Sequence, residues 1–249
     1  MPLTQGVRRS NLGMDNEMFV DWINELNGLS DKIFGLMERT AANADFGVTA
    51  QDARLVALSG MQESLLSCGF WLSTYHSIAE NHRDESMVLK YARSNLSLEK
   101  TANIMLNKIR LGLVIFFHFK LENLLGCLLN KISNIKFQGL GSTFTRLSQE
   151  IGLNDISEKA KIIKAFSSIR NSLHNNGIHS HASFSVKVGK LNYEFTKDGV
   201  VQCASLDHSI NLIQVITDII DEIIESKKIK GITELIPDTY AEWLDNKDA

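Results

Sequence analysis

Residues 169–177, with the sequence IRNSLHNNG, combine a guanidinium, a carboxamide and an imidazole within one short segment. Arg170 and His174 are four residues apart, so on a helix they lie about 40° from each other on one face. A guanidinium pairs with the non-bridging oxygens of a phosphodiester, and an imidazole transfers protons near neutral pH. These groups suffice for metal-independent cleavage of RNA, in which the ribose 2′-hydroxyl attacks the neighbouring phosphorus.

The same segment also has a purely structural interpretation. A protonated His174 in the last helical turn would be stabilised by the negative end of the helix dipole. Asn176 and Gly177 match the left-handed stop that ends many helices. Arg170 could pair with an acidic side chain such as Glu122, and the lysines of this helix could form an ordinary solvated face.

The segment resembles the signature motif of the HEPN superfamily, the higher eukaryotes and prokaryotes nucleotide-binding domains. That signature is an Arg, usually followed by Asn or another polar residue, and then a His a short distance on; Arg170, Asn171 and His174 fill these places. The helix stop at residues 175–177 is similar to that of the family. The phenylalanine-rich segment at residues 116–126 (FFHFKLENLLG) resembles the helix that packs beside the motif helix.

The resemblance covers residues 97 to 227, except for an inserted β segment, and it implies a helical bundle that dimerises through the motif helix. Active members of the family are metal-independent endoribonucleases, common among toxins and antiviral defence proteins, while other members only bind or scaffold. Active members usually place roughly four to six residues between Arg and His, whereas this chain has three, which moves His174 by about 100° around the helix. His179, just beyond Gly177, is an alternative imidazole that could fold back toward Arg170.

We therefore predict a metal-independent endoribonuclease or RNA-binding protein of the toxin or antiviral defence type. Arg170 is the predicted phosphate clamp, His174 the acid or base, and Asn171 the orienting group. Three further side chains on or just beyond the same helix are expected to contact RNA: Lys161, Lys164 and Asn175. The alternatives are a non-catalytic HEPN-like module that binds a protein partner and a nucleotide-sensing bundle.

Other candidate sites are weaker. The glycines of residues 137–145 (FQGLGSTFT) predict a loop, but a phosphate loop needs Gly-Lys-Ser/Thr after a strand, and this segment has neither. His179 and His181 could form a metal site with Cys203 or His208, although their spacing matches no common zinc pattern. We therefore predict no metal and no other cofactor.

The remaining histidines and nearby aromatic residues are expected to be structural. His118 stands alone on a predicted helix, which places it at the edge of the core or on the surface. Four aromatic side chains with helical spacing are expected in the core: Trp71, Phe116, Phe117 and Phe119.

Composition indicates an ordinary globular chain. Of 249 residues, 44% are hydrophobic and 22% are charged, and the net charge of −3 provides no overall positive field for nucleic acid or membranes.

Three distant cysteines, Cys68, Cys127 and Cys203, predict buried, reduced thiols and a cytoplasmic protein. Residues 1–13 lack the features of a secretory signal, and the apolar run at residues 111–117 is too short for a membrane span.

Charge is unevenly distributed along the chain. Residues 131–170 contain seven basic and three acidic side chains, whereas residues 206–249 contain ten acidic and four basic ones. These two regions could pair within one protomer or between protomers.

Hydrophobic periodicity predicts helices over residues 15–39, after a capping Thr49, within residues 87–135, from Asn154 or Asp155 to Asn175, and after Ser205. Alternating apolar residues at 182–204 predict a small β-meander with turns at Gly189-Lys190 and at residues 197–199. Pro237 is expected in the first turn of a short C-terminal helix.

The predicted fold is mainly α: a HEPN-like helical bundle with two additional long N-terminal helices and the inserted meander. The predicted divisions are a tail at 1–13, N-terminal helices at 14–96, the bundle at 97–230 and a C-terminal tail with a short helix at 231–249. We expect a homodimer formed through the motif helix, with RNA or a protein as further partner.

Overall fold

The computed structural model describes residues 16–43, 51–80 and 98–238, and these residues are mainly helical. The helices are α1 (Asn16–Ala42), α2 (Ala53–Glu80), α3 (Leu98–Ser133), α4 (Leu140–Ile151), α5 (Ile156–His174), α6 (Leu206–Glu225) and α7 (Lys227–Lys230). The strands are β1 (Ile178–His179), β2 (Phe184–Val188), β3 (Leu191–Phe195) and β4 (Gly199–Val200). A mainly α fold with a small β insert is therefore confirmed.

The long predicted helices form because apolar residues recur every three or four positions. In α1 this spacing buries one continuous stripe: Phe19, Trp22, Leu26, Leu29, Ile33 and Leu36. Helix α6 follows Ser205, as the sequence predicts, and Ser205 is its N-cap, with its hydroxyl accepting a hydrogen bond from the His208 backbone N–H. The predicted cap Thr49 lies outside the described residues, as does the chain from 81 to 97.

The loop predicted at residues 137–145 is wrong from residue 140 onward, because α4 begins at Leu140. Leu140, Phe144 and Leu147 are buried and follow the helical spacing of four and three residues, so their burial outweighs the weak helix propensity of the neighbouring glycines. Gly139, with a φ of 96°, forms the turn before the helix.

The predicted meander is instead a hairpin flanked by a second, separate strand pair. Strands β2 and β3 are antiparallel, with Val188 opposite Leu191 across the predicted Gly189-Lys190 turn. Strand β4 does not continue this sheet but pairs with β1, which lies immediately after α5. The turn between β3 and β4 brings the chain back to the end of the motif helix, because Asp198 N–H donates to the His179 carbonyl at 2.7 Å.

The hairpin is fastened to α6 by one buried tyrosine. Tyr193 Oη donates to the His208 carbonyl at 2.8 Å and accepts from Asn211 Nδ2 at 2.9 Å. Asn211 also donates to the carbonyl of Val188 at 3.2 Å. Burial raises the pKa of Tyr193 to about 12.

Buried side chains from α1 to α6 form one hydrophobic core. Helix α1 runs parallel to α6, because residues further along α1 contact residues further along α6. The polar pairs at this interface are Trp22 with Asp207, Lys32 with Asp218, and Arg39 with Asp221 and Glu225. Pairing between the basic and acidic regions within one protomer is also confirmed, by Lys159 with Glu222 and Lys131 with Glu234.

Three of the four aromatic side chains that were expected in the core are exposed to solvent instead. Trp71 is 51% exposed and Phe116 is 63% exposed, and Phe119 is exposed as well, whereas Phe117 is buried. Apolar residues occur on more than one face of α2 and of α3. Among the described residues, neighbouring helices cover only some of these faces, so the apolar side chains on the other faces are exposed.

The described chain ends in an extended segment rather than a helical turn at Pro237. Pro237 forms an antiparallel bridge with Asp52, and the Ala53 N–H donates to the Ile236 carbonyl at 2.8 Å. This extended backbone is incompatible with the helix start expected at Pro237. The remainder of the predicted C-terminal helix lies outside the described residues.

One helical segment among the described residues, Asn103–Ser133, is long and apolar enough to cross a membrane by length and composition. Half of its most apolar window is buried inside the protein. A central helix of a folded core has these same two properties, and α3 packs against α2, α4 and α5.

Candidate functional site

Helix α5 carries the Arg-Asn-His segment and ends where the sequence predicts. The Asn175 N–H donates to the carbonyl of Asn171 at 3.2 Å, and the Gly177 N–H donates to the carbonyl of Ser172 at 2.7 Å. Asn176 and Gly177 both have positive φ, 52° and 83°. This is the expected left-handed cap, and it directs the chain into β1.

The catalytic candidates lie along the flank of the apolar stripe of α5. Phe166 and Ile169 are buried, Arg170 is half-buried, and Asn171 and His174 are exposed. Arg170 Nη1 donates to Asn171 Oδ1 at 3.0 Å, so the two polar side chains orient each other. The imidazole of His174 is therefore open to solvent one helical turn beyond the guanidinium.

The predicted RNA contacts differ in their surroundings. Lys161 is exposed. Lys164 is exposed too, and its ammonium lies 4.0 Å from the ring centroid of Phe184 in the β-hairpin, a cation–π contact. Asn175 is exposed, and its Nδ2 donates to the carbonyl of Ile178 at 3.1 Å, which gives it a capping role. RNA contact by these three residues stays a prediction.

Helix α3 adds two residues that the sequence analysis did not place in the site. His118 is only 2% exposed, and its ring packs against Phe166 of α5 with centroids 5.6 Å apart. His118 Nε2 lies 3.4 Å from Ser167 Oγ. His118 Nδ1 lies 3.6 Å from Glu122 Oε2, which is an ion-pair distance and too long for a hydrogen bond. The signal was present in the sequence as the spacing of four residues between His118 and Glu122.

The pKa of Glu122 reflects both His118 and the motif arginine. Burial on its own raises the pKa of the Glu122 carboxyl, but the interaction with the His118 side chain and the charge of Arg170 outweigh burial, and the net direction is downward. The carboxylate form of Glu122 is therefore favoured beside the His118 ring, whose Nδ1 lies 3.6 Å away. The pairing with Glu122 that the structural interpretation assigns to Arg170 is not formed, because no hydrogen bond or ion pair joins the two side chains, and Arg170 remains partly exposed.

The alternative imidazole, His179, is placed elsewhere. It is 2% exposed, its Nε2 lies 3.2 Å from the carbonyl oxygen of Ala182, and its ring packs against Phe184 and Phe195. His181 contacts it edge to face at 5.8 Å. Within the described ranges, no group of three or more His, Cys, Asp or Glu side chains is placed to hold a metal ion.

Two cavities of the described residues lie away from α5. Two adjoining apolar cavities, each of about 600 Å³, are formed between α1, α2 and α3. They share Gly60, Glu63 and Lys120, and no residue of α5 lines either of them. The candidate site on α5 is therefore part of neither of these two cavities.

This surface can do limited but defined chemistry. Arg170 and Asn171 offer hydrogen-bond donors to a phosphate, and the exposed His174 can exchange a proton with a bound group. No protein-family model, curated protein or solved structure matches this chain, so the functional assignment rests on this geometry.

Proposed function

We propose that the protein is a HEPN-like, metal-independent endoribonuclease of the toxin or antiviral defence type. The observation that carries the proposal is the placement of Arg170 and His174 on one accessible flank of α5, where the guanidinium of Arg170 is hydrogen-bonded to Asn171. An ordinary helix cap would not require an arginine whose guanidinium is oriented by a neighbouring carboxamide, as Asn171 orients Arg170.

In the proposed reaction, Arg170 binds the non-bridging oxygens of a phosphodiester, and Asn171 fixes the plane of the guanidinium. An imidazole removes the proton of the ribose 2′-hydroxyl as its oxygen attacks phosphorus. The bond to the 5′-oxygen breaks, and this oxygen takes up a proton from an imidazolium. The products are a 2′,3′-cyclic phosphate and a 5′-hydroxyl, and pairing of two α5 helices in a homodimer would supply two copies of His174.

The decisive experiment is RNA cleavage in the presence of EDTA. His174→Ala is expected to reduce the rate by about 10²- to 10⁴-fold. Arg170→Ala is expected to reduce it by about 10²-fold or more, because positioned charge is lost at the phosphate. Arg146→Ala and His181→Ala are matched controls, since both side chains are exposed, and these variants are expected to retain activity. Cleavage that persists unchanged in both site variants would end the proposal.

A non-catalytic role is the second candidate, favoured by the exposed Phe116 and Phe119 on α3. In that case the same fold would bind a protein partner. Absence of cleavage by the wild-type protein, together with a partner whose binding is lost in Phe116→Ser and Phe119→Ser, would select this alternative.

A further inference from the structure

One of the two apolar cavities is a groove between α2 and α3, with a volume of about 600 Å³. From Gly60 to Trp71 this α2–α3 groove follows α2 for about 16 Å, at the rise of 1.5 Å per helical residue. Ligand sites in proteins usually have volumes of about 300–1,000 Å³, so the groove is large enough for a small, elongated molecule. Its lining combines small residues with large, exposed apolar ones: Gly60, Ser64, Gly112, Trp71, Ile104 and Phe116.

The side chain of Lys120 lies across one end of this groove. A Cβ atom at Gly60 would overlap Lys120 Cε and would lie only 2.7 Å from Lys120 Cδ, so the methylenes of the lysine rest on the bare backbone of α2. Glycine destabilises the interior of a helix relative to alanine. At position 60, however, alanine would displace the lysine. Gly60 therefore allows Lys120 to lie flat against α2.

The ammonium of Lys120 lacks a counter-charge. Lys120 is half-buried, and it makes no hydrogen bond or ion pair with any residue in the described ranges. Glu63 lines the same groove, but it is exposed, and its Oε1 lies 3.4 Å from Ser59 Oγ rather than beside the lysine. A cation that is partly withdrawn from water is stabilised when an anion binds next to it.

The charges of the two cavities determine which of them suits an anionic ligand. The α2–α3 groove is lined by two basic residues, Lys108 and Lys120, and one acidic residue, Glu63. The adjoining cavity is lined by two acidic residues, Glu38 and Glu63, and by Lys120 alone among basic residues. An anion that pairs with Lys120 is therefore favoured in the α2–α3 groove and repelled from the adjoining cavity.

We propose that the α2–α3 groove binds a free long-chain carboxylic acid. Its carboxylate pairs with the ammonium of Lys120, and its alkyl chain lies along the groove against Trp71, Ile104 and Phe116. These three side chains are exposed, and contact with the chain removes part of their apolar surface from water. A single cation at one end of an apolar groove matches a molecule with one charged end and an apolar body. The site is separate from the proposed ribonuclease site, because no residue of α5 lines the groove.

The first test is calorimetric titration of the whole protein with sodium decanoate below its micellar concentration. The wild-type protein should bind one equivalent, and affinity should rise roughly threefold for each methylene added between hexanoate and decanoate. Decyltrimethylammonium and 1-decanol should bind about tenfold more weakly, since neither can pair with an ammonium group. Absence of saturable binding, or equal affinity for decanoate and decyltrimethylammonium, would overturn the proposal.

Lys120→Met tests the role of the charge, because methionine keeps an unbranched apolar side chain and lacks the ammonium. The affinity for decanoate should fall about tenfold, whereas the affinity for 1-decanol should stay within about twofold. Lys187→Met is the matched control, since Lys187 is an exposed lysine of β2 that lines neither cavity. An unchanged affinity for decanoate in Lys120→Met would refute the pairing.

Two glycine substitutions test the geometry of the groove. Gly60→Ala should displace Lys120 and weaken decanoate binding, whereas Gly28→Ala in α1, where the added Cβ meets open space, should not change it. An atom added at Gly112 also meets open space, so the ring of Gly112→Phe should enter the groove and exclude both decanoate and 1-decanol. Wild-type binding by folded Gly112→Phe would overturn the proposal. If this variant does not fold, Ser67→Trp, at an exposed position of the same groove, takes its place.

Tryptophan fluorescence tests where the acid binds. Trp71 is 51% exposed and lines the groove, so decanoate should shift its emission to shorter wavelength, and the shift should be lost in Trp71→Phe. A shift that persists in Trp71→Phe would place the acid elsewhere and refute the proposed site. A wild-type dimer that ignores decanoate but dissociates in Phe116→Ser would assign the groove to a second copy of the chain, which would also overturn the proposal.

Discussion

The guanidinium of Arg54 donates to both carboxylate oxygens of Asp52, at 2.9 Å each, with both side chains buried. Asp52 also accepts the backbone N–H of Ile236 at 3.0 Å, and Arg54 donates to the carbonyl of Ile232 at 2.8 Å. The pair therefore attaches the chain after α7 to the start of α2.

Loss of this pair should be strongly destabilising. We expect Asp52→Ala to lower the free energy of unfolding by about 3–5 kcal/mol, because it leaves a buried guanidinium without its counter-charge. Asp218→Ala, which breaks the exposed pair with Lys32, should lower it by less than about 1 kcal/mol. Urea denaturation of both variants is the measurement. Equal effects would show that the buried pair has no special role.

The hydroxyl of Tyr193 should contribute to the attachment of the hairpin. Tyr193→Phe removes a donor to the His208 carbonyl and an acceptor for Asn211, so a loss of about 1–2 kcal/mol of unfolding free energy is expected. Tyr75→Phe is the matched control, since Tyr75 is buried and its hydroxyl makes no hydrogen bond within the described part of the chain. A larger loss in Tyr75→Phe would contradict this account.

The three cysteines should be unreactive in the native protein. All three are buried, burial raises the pKa of Cys68 to about 12, and it also raises the pKa of Cys203. Near neutral pH the thiolate fraction is therefore very small. We expect slow reaction with Ellman's reagent in the native state and rapid reaction of all three thiols in guanidinium chloride. Rapid labelling of the native protein would show that a buried thiol becomes accessible by local opening.

Glu122 should make the stability depend on pH at the acid end. Its pKa in the folded protein is below the ordinary value of 4.5, so its stabilising contribution is complete above that value and is lost as the pH falls through the lower, folded pKa. The difference in unfolding free energy between wild type and Glu122→Gln should therefore shrink when the pH is lowered below 4.5. Denaturant titrations of both proteins at pH values above and below 4.5 measure this difference. A difference in unfolding free energy that does not change with pH would contradict the lowered pKa of Glu122.

Local patterns predicted the features that depend on neighbouring residues in the sequence. The stripe of α1, the Ser205 cap and the stop at Gly177 all follow from spacing and capping chemistry within a few positions. The placement of Arg170 and His174 on the flank of an apolar helix also follows from periodicity alone.

Features that depend on packing between distant elements could not be predicted in this way. The burial of Phe144 turns a glycine-rich segment into a helix, and only the fold brings it against the core. His118 has the same local spacing whether it is exposed or buried, and its proximity to Phe166 is set by how α3 and α5 pack. The exposure of Phe116 likewise depends on which of the described helices pack against its side of α3.

The parallel alignment of α1 with α6 has a consequence for the order of folding. Trp22 and Asp207 are separated by 185 residues, and Arg39 and Asp221 by 182, so these contacts close very long loops. Contacts between successive helices, such as α1 with α2 and α4 with α5, close much shorter ones. During synthesis the first helix can therefore pack against α2 soon after both have left the ribosome, whereas its polar pairs with α6 must wait for almost the entire chain.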